Sequence, residues 1–339
     1  MVASIGAWNI RGLNSPPKQK RIQQWIAKNN LNIVGILEPR IRMANMAQVE
    51  AGLGLHSWQF ESNINQCHLC RIMVGWNTRK ISVSVIHRNP QWLTCDVKSL
   101  IDGSSIRSTF IYGMNTQEDR SAIWNYLSSQ KTINNASPWA ILGDFNAIIS
   151  TRDRQGGDPR WLNHMDDFPN CVAHAELIQV PVSGLHFTWH NGRQGEDTIL
   201  RKIDWAWGNQ SLLATWPLMK ANFQARIGSD HSPITLSLSP PPPRQKPRFK
   251  FLNLWADQEG YEDTVKAAWE SEVWGNPISR LTSKLRILKG YLKLHHGHRS
   301  HCISDKARIA KEEWQAAQYY LDNHPDDKEA SSREREACY

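Results

Sequence analysis

The sequence predicts an α/β fold of two packed mixed sheets flanked by helices, a four-layer α/β sandwich, followed by a mainly helical C-terminal connector. Three observations predict it. The chain opens strand, helix, strand, which is the α/β signature. Strands then outnumber helices as far as residue 238, a ratio that favours two packed sheets with helices outside over one doubly wound parallel sheet. Finally, Pro240-Pro241-Pro242-Pro243 ends the alternation with a stiff, extended spacer, and only helical periodicity follows.

Taken in order, Ala3 to Trp8 reads as a strand, and Ile22, Trp25 and Ile26 mark one face of a short helix. Ile33 to Leu37 is a buried apolar strand ending at Glu38. Further strands are predicted at 72–76, 81–86, 92–97, 106–112, 139–143, 186–189, 203–207 and 233–238, with helices near 118–130 and 164–176. Beyond the prolines, Ile278, Leu281, Leu285, Leu288 and Leu292 recur three or four apart, as do Ile303, Ala307, Ala310, Trp314, Ala317 and Leu321. That spacing predicts two amphipathic helices around a polar break at Gly297, a helical hairpin. Residues 1–238 thus form one domain, 239–250 a proline-rich linker and 251–339 a helical connector.

With 339 residues, 40% hydrophobic and 21% charged, the chain can bury a large core and has an ordinary globular composition. The net charge of +8 favours polyanions without requiring one. Nine Lys or Arg between 278 and 311 face the single Asp305; such a basic helical face is most often only solvated, and nucleic-acid contact through Lys284, Lys289 and Lys293 is the sharper alternative. No apolar stretch is long enough to span a membrane, and the N-terminus lacks the basic start and apolar core of a signal peptide. No membrane partner is expected, and the protein is expected to be intracellular and not secreted. Six scattered cysteines suit reduced thiols, and sixteen tryptophans suit core packing.

Two runs carry the chemistry: Gly143-Asp144-Phe145-Asn146 and Gly228-Ser229-Asp230-His231-Ser232-Pro233-Ile234. Both lie at the ends of apolar runs, where strands emerge from a sheet and sites are commonly built. Attack of water on a phosphodiester needs a group for the water, a cation to offset charge on the phosphoryl oxygens, and stabilisation of the leaving oxygen. Asp144 with Asn146 suits the first, Glu38 offers hard oxygen suited to Mg²⁺, and His231 can carry charge or protons. Asp204 can fix the tautomer of His231, while Asn9, Tyr112 and Asn115 supply neutral hydrogen bonds at other strand ends. Singly, a strand-end Asp or Asn is most often a cap or turn residue. Their joint occurrence at successive strand ends outweighs that reading.

These motifs resemble the endonuclease/exonuclease/phosphatase superfamily, the deoxyribonuclease-like nucleases. Seven ordered elements carry the likeness: Trp8-Asn9-Ile10-Arg11-Gly12-Leu13-Asn14, Leu37-Glu38-Pro39-Arg40, Ile111-Tyr112-Gly113-Met114-Asn115, Leu142-Gly143-Asp144-Phe145-Asn146, Phe187-Thr188-Trp189, Lys202-Ile203-Asp204, and Gly228 to Ile234. Within it, Arg120 with Trp124, Arg154-Gln155-Gly156-Gly157 and Arg226-Ile227-Gly228-Ser229-Asp230-His231 look most like the endonuclease of plant non-LTR (LINE-type) retrotransposons. Phe251-Leu252-Asn253-Leu254-Trp255 and Asn323-His324-Pro325 resemble the segment joining that endonuclease to reverse transcriptase.

By that resemblance Asn9, Glu38, Tyr112, Asn115, Asp144, Asn146, Asp204, Asp230 and His231 form the catalytic set, with Glu38 and Asp230 holding Mg²⁺, for which Mn²⁺ can substitute. Arg11, Arg40, Arg120, Thr188 and Trp189 become candidate nucleic-acid contacts. The implied activity is nicking of DNA, at a nuclear site of action, with element RNA as a second partner and reverse transcriptase following in the intact polyprotein. Alternatives are an apurinic-type repair endonuclease or phosphatase of the same superfamily, or an inactive nucleic-acid-binding relic. Arg11 stands where apurinic endonucleases carry a carboxylate, which weakens the repair alternative, and Cys70 where the retrotransposon branch often has glycine. No Tyr-x-Asp-Asp polymerase signature or Cys/His knuckle is present, so the expectation is a nuclease with its connector, cut off before the polymerase. The sandwich is then expected to fold and nick without residues 244–339.

Cys67-His68-Leu69-Cys70 has zinc-like spacing but no second pair at a suitable distance, so free cysteines are favoured. The cluster His295, His296, His298, His301 and Cys302 is read as surface histidines.

Overall fold

Four strands are buried along their whole length, and each reads in sequence as an apolar run because both of its faces are covered. They are β1 (Ser4–Asn9), β2 (Ile33–Leu37), β8 (Trp139–Asp144) and β14 (Asp204–Gly208). The computed structural model describes residues 4–134, 137–238, 251, 255–257, 259–274, 277–325 and 327–336; of 132–134, 295–308, 328, 333, 335 and 336 it describes the backbone alone. The linker 239–250 therefore lies outside the described residues.

Around those central strands the first half adds α1 (Pro16–Asn29), α2 (Met46–Gly52), β3 (Trp58–Ser62), β4 (Ile72–Asn77), β5 (Ile81–Arg88), β6 (Trp92–Ser99), β7 (Ser105–Tyr112) and α3 (Gln117–Asn134). After β8 follow β9 (Arg154–Gln155), α4 (Asp167–His174), β10 (Ile178–Gln179), β11 (Val182–Gly184), β12 (Trp189–His190) and β13 (Leu200–Arg201). Then come β14, α5 (Gln210–Thr215), β15 (Lys220–Phe223) and β16 (Ile234–Ser237). One sheet has the order β11-β15-β16-β1-β2-β4-β3, the other β10-β14-β8-β7-β6-β5, and β12-β13-β9 form a small third sheet. Both large sheets are mixed: β1 runs parallel to β2 and β7 to β8, among mainly antiparallel neighbours.

Three apolar clusters define the layers. Ile5, Ala7, Ile33 and Val74 of one sheet share a core with Leu93, Phe110, Leu142 and Ala206 of the other. On the outer face of the first sheet, Trp8, Val34 and Ile36 pack with Ile22, Trp25 and Ile26 of α1. Outside the second sheet, Ile111, Ile141 and Trp207 pack with Ile123 and Leu127 of α3 and Phe168 of α4. The result is the predicted four-layer sandwich. Helix α1 starts where predicted because Pro16 sits in its first turn, and it ends on Asn30 in the left-handed conformation.

Two expectations need correction. The predicted strand at 186–189 is largely absent, only Trp189 and His190 being paired. The backbone N–H groups of His186 and Phe187 go instead to the Asp322 carboxylate, far along the chain. Nor does the connector turn at Gly297 into the predicted hairpin: after α6 (Tyr261–Glu270), α7 runs unbroken through it as Pro277–Asn323, before α8 (Lys328–Glu336). Gly297 costs such a helix only about 1 kcal/mol relative to alanine, against about 3 for proline. No proline follows Pro277 before Pro325, just beyond the end of α7.

The chain divides into two compact units. One is residues 1–241 together with 318–331; the other is residues 242–317 together with 332–339. The last turns of α7 thus belong to the first unit. Among the described residues no helix is long and apolar enough to cross a membrane.

Candidate active site

The registers of the two sheets bring the strand-end residues together. Asp144, the last residue of β8, pairs with Tyr112 at the end of β7 and with Asp204 at the start of β14. From the facing sheet come Asn9, ending β1, and Glu38, just past β2. Gly143 lets the chain make this approach: at φ +145°, an added Cβ would lie 2.1 Å from the Ile111 carbonyl oxygen.

At the buried centre, His231 Nδ1 lies 3.0 Å from Asp204 Oδ2 and 3.3 Å from Oδ1, which fixes the imidazole and places its Nδ1 proton on that side. Its Nε2 faces Asp144 Oδ2 at 3.7 Å. Asn9 joins the two groups: its amide nitrogen donates to Asp144 Oδ2 at 2.9 Å and lies 3.4 Å from His231 Nε2. Asp144 Oδ1 accepts the Asn146 N–H at 2.9 Å. The Asn146 side chain donates to the Gly113 carbonyl at 2.6 Å and to Asn115 Oδ1 at 3.3 Å. Thr188, a candidate nucleic-acid contact by sequence, is fully buried. Its hydroxyl accepts the N–H groups of Ile203 and Asp204, so it positions Asp204 and does not face a ligand.

At the mouth of the site the carboxylates are held by guanidinium groups. Arg40 pairs with Glu38, its Nε donating to Oε1 at 2.8 Å, while Arg11 lies 3.8 Å from Glu38 Oε2 and pairs with Asp230 through its other end. Asp230 also accepts the Trp189 indole N–H at 2.9 Å. Arg11, Glu38, Arg40 and Asn146 all have φ near +50°, a conformation uncommon outside glycine that persists only where surroundings enforce it. Backbone bonds do so here, among them Gly12 N–H to the Glu38 carbonyl and Glu38 N–H to the Arg71 carbonyl, both 2.7 Å.

Asn9, Glu38, Tyr112, Asp144, Asn146 and His231 line a cleft of about 560 Å³. Its wall includes Arg11, Arg40 and Arg120 together with Arg154, Arg160 and Arg201, three basic residues not singled out from the sequence as site residues. Several of these guanidinium groups are anchored to loop carbonyls: Arg120 to Met114 and Asn115, Arg154 to Arg160, and Arg201 to Gln155 and Gly156. The rim is therefore a preoriented basic surface suited to phosphate. Lys284, Lys289 and Lys293 lie on α7 in the other unit.

Burial alone would push the His231 imidazole down, but the charges of Asp204 and Asp144 and the hydrogen bond that the ring donates to Asp204 outweigh it and hold it at about 9. Burial pushes Asp144 upward, against the pull of the His231 charge. Burial, with Glu38 and Asp144 adding to it, also raises Tyr112, which stays a neutral phenol. Asp230 is held low: burial opposes its charge, but His231, Arg11 and Trp189 prevail. The raised His231 value means its stabilising contribution is complete below the unfolded value of 6.5 and is lost as pH rises toward about 9. In chelator the melting temperature should therefore fall between those pH values, and fall less in His231→Gln; an unchanged or rising melting temperature in the native chain would contradict the assignment.

Asp144, Asp204 and His231 have ligand atoms within 4.8 Å of one another and are a group that could hold a metal ion. Asp204 and His231 already satisfy each other, however, and hard divalent cations prefer oxygen. Glu38 and Asp230 are two further carboxylates, both in contact with Arg11. Cys67 and Cys70 form no disulfide, and burial pushes Cys70 up to about 12. The side chains of the histidine cluster at 295–302 lie outside the described residues.

Residues 6–231 match the profile of the endonuclease/exonuclease/phosphatase family. Among solved structures, the endonuclease domain of TRAS1, a telomere-specific non-LTR retrotransposon, is similar at 11% identity and a TM-score of 0.54, over 69% of this chain and 97% of that one. The AP endonuclease LMAP of Leishmania major is similar at 13% identity and a TM-score of 0.55, over 70% and 88%. No curated protein is similar to the chain in sequence.

Proposed function

Because the chain belongs to the endonuclease/exonuclease/phosphatase family, we propose that its cleft is the active site of a Mg²⁺-dependent DNA endonuclease of a non-LTR retrotransposon of the plant LINE type. The observation that carries this reading is the buried array Asp204–His231–Asn9–Asp144 opening into a cleft rimmed with arginines. A divalent cation held by Glu38 and Asp230 would offset charge on the phosphoryl and leaving oxygens. Asp144, fixed by Asn9 and the Asn146 N–H, orients and deprotonates the attacking water. His231, kept protonated by Asp204, presents Nε2–H to a phosphoryl oxygen. Tyr112 and Asn115 add neutral hydrogen bonds at the cleft wall, and Arg11, Arg40, Arg120 and Trp189 meet the DNA.

On this reading residues 1–238 are the nuclease, 239–250 the linker and 251–339 the connector, with Lys284, Lys289 and Lys293 of α7 as a further nucleic-acid face toward DNA or element RNA. The enzyme acts in the nucleus, and the polyprotein continues into a reverse transcriptase that extends the nicked end. The product end tests this. A nick whose 3′-hydroxyl a polymerase extends without phosphatase treatment is expected. A 3′-phosphate would contradict it, cutting confined to abasic duplex would favour the repair alternative, and phosphate release from small monoesters alone would favour a phosphatase.

Arg11 makes a further expectation specific. Its guanidinium shares the two carboxylates proposed for the metal, so Arg11→Gln should tighten Mn²⁺ binding to the DNA-free protein about fivefold, the scale of a partly exposed ion pair. Calorimetric titration measures this, and equal or weaker binding would show that Arg11 does not compete for the site.

A further inference from the structure

The last turns of α7 lie in the same compact unit as the catalytic sandwich, and their contacts lead directly to the site. Asp322 accepts the backbone N–H groups of His186 and Phe187, the second at 2.7 Å. One helical turn earlier, Gln318, only 2% exposed, exchanges two bonds with the Arg226 backbone: Arg226 N–H to Oε1 at 3.0 Å and Nε2 to the Arg226 carbonyl at 3.3 Å. The Arg226 side chain in turn donates to the Phe187 carbonyl at 2.9 Å. The Phe187 residue is thus gripped on both sides, at the place where a strand is predicted but its N–H finds no strand partner.

The next two residues carry that grip to the catalytic groups. Thr188 holds the N–H of Asp204 through its hydroxyl and the N–H of Ser232 through its carbonyl, at 3.0 and 2.8 Å. Trp189 donates its indole N–H to Asp230 and pairs with His231 across an isolated β-bridge. Behind them Lys202 is buried over the Trp205 and Phe223 rings, and burial lowers its pKa while Asp153 and Asp322 supply the opposing negative charge. Residues far along the chain from the catalytic motifs therefore brace the segment that touches them.

We propose that Asp322 is a positioning residue of the active site: through the 186–189 segment it sets Asp204, Asp230 and His231, so that the end of the connector is a working part of the nuclease. On this proposal the sandwich expected to fold and nick without residues 244–339 also needs residues 318–331, which lie in its compact unit. Misplacement of a catalytic group by about an ångström can cost up to about a hundredfold in rate, and loss of this brace leaves the site assembled but looser.

The inference rests on the proposed nuclease reading only for its rate arm, so a second arm is independent of activity. In the full chain, Asp322→Ala should lower kcat for nicking about tenfold with KM for DNA within about twofold. Asp322→Asn, which keeps one acceptor, should fall between, and Asn323→Ala on the next, exposed position should behave as the native chain. Amide hydrogen exchange should quicken at 186–190 and also at 229–232 in Asp322→Ala, with Gln318→Ala giving the same pattern if the first variant folds poorly. A native rate in Asp322→Ala, or faster exchange confined to His186 and Phe187, would overturn the proposal. If the native chain does not nick at all, the nuclease reading fails while the exchange result still decides this one.

Discussion

Replacing Asp144 with alanine should lower the nicking rate by at least about a hundredfold, the scale for removing one positioned catalytic group, and Glu38→Ala should do the same. The two arrive at that loss differently. Asp144 is buried at the end of β8 with both oxygens engaged, Oδ2 by Asn9 and Oδ1 by the Asn146 N–H, so its alanine variant loses the group that orients water while adequate Mg²⁺ is still bound. Glu38 stands at the cleft mouth between Arg11 and Arg40, so on the proposed reading its loss should weaken metal binding and be relieved in part by excess Mg²⁺. Initial rates at two metal concentrations separate these outcomes. A variant that nicks at near the native rate removes that residue from the mechanism.

Asp204→Ala and His231→Ala should be strongly non-additive, the double variant losing little beyond the worse single one. The 3.0 Å contact between His231 Nδ1 and Asp204 Oδ2 is the physical reason: without the carboxylate the imidazole loses both its orientation and the charge that keeps it protonated. Without the imidazole, the carboxylate has nothing to orient. Single-turnover rates of the four proteins form the cycle, and losses that simply multiply would show that the two residues act separately.

Much of this site is legible in the sequence because its members end apolar runs. Asn9, Glu38, Asp144 and Asp204 each adjoin a strand buried on both faces, and such strands leave a continuous apolar signature with a polar residue abruptly at its end. The short, half-buried strands leave less: β3 and β15 alternate over only five and four residues, too few to stand out, and neither strand is foreseen. The 186–189 stretch fails for a nonlocal reason, since Phe187-Thr188-Trp189 has strand-forming residues and only Asp322 reveals where its N–H groups go. Arg154, Arg160 and Arg201 come from separate loops and share no spacing that could announce a common wall. Thr188 illustrates the opposite error: its place in a motif says nothing of which way its hydroxyl turns. In the connector a polar stretch is mistaken for a break, because polarity lowers burial without stopping a helix.

The central claim is that the array around Asp144 and His231 hydrolyses DNA with the help of a divalent cation. Purified full-length chain and its Asp144→Ala variant incubated with supercoiled plasmid, in Mg²⁺ and in EDTA, test it most directly. The account predicts open-circular product with the native chain in Mg²⁺, none in EDTA, and at least about a hundredfold less with the variant. Relaxation that persists in EDTA, or that the variant retains at the native rate, would contradict it.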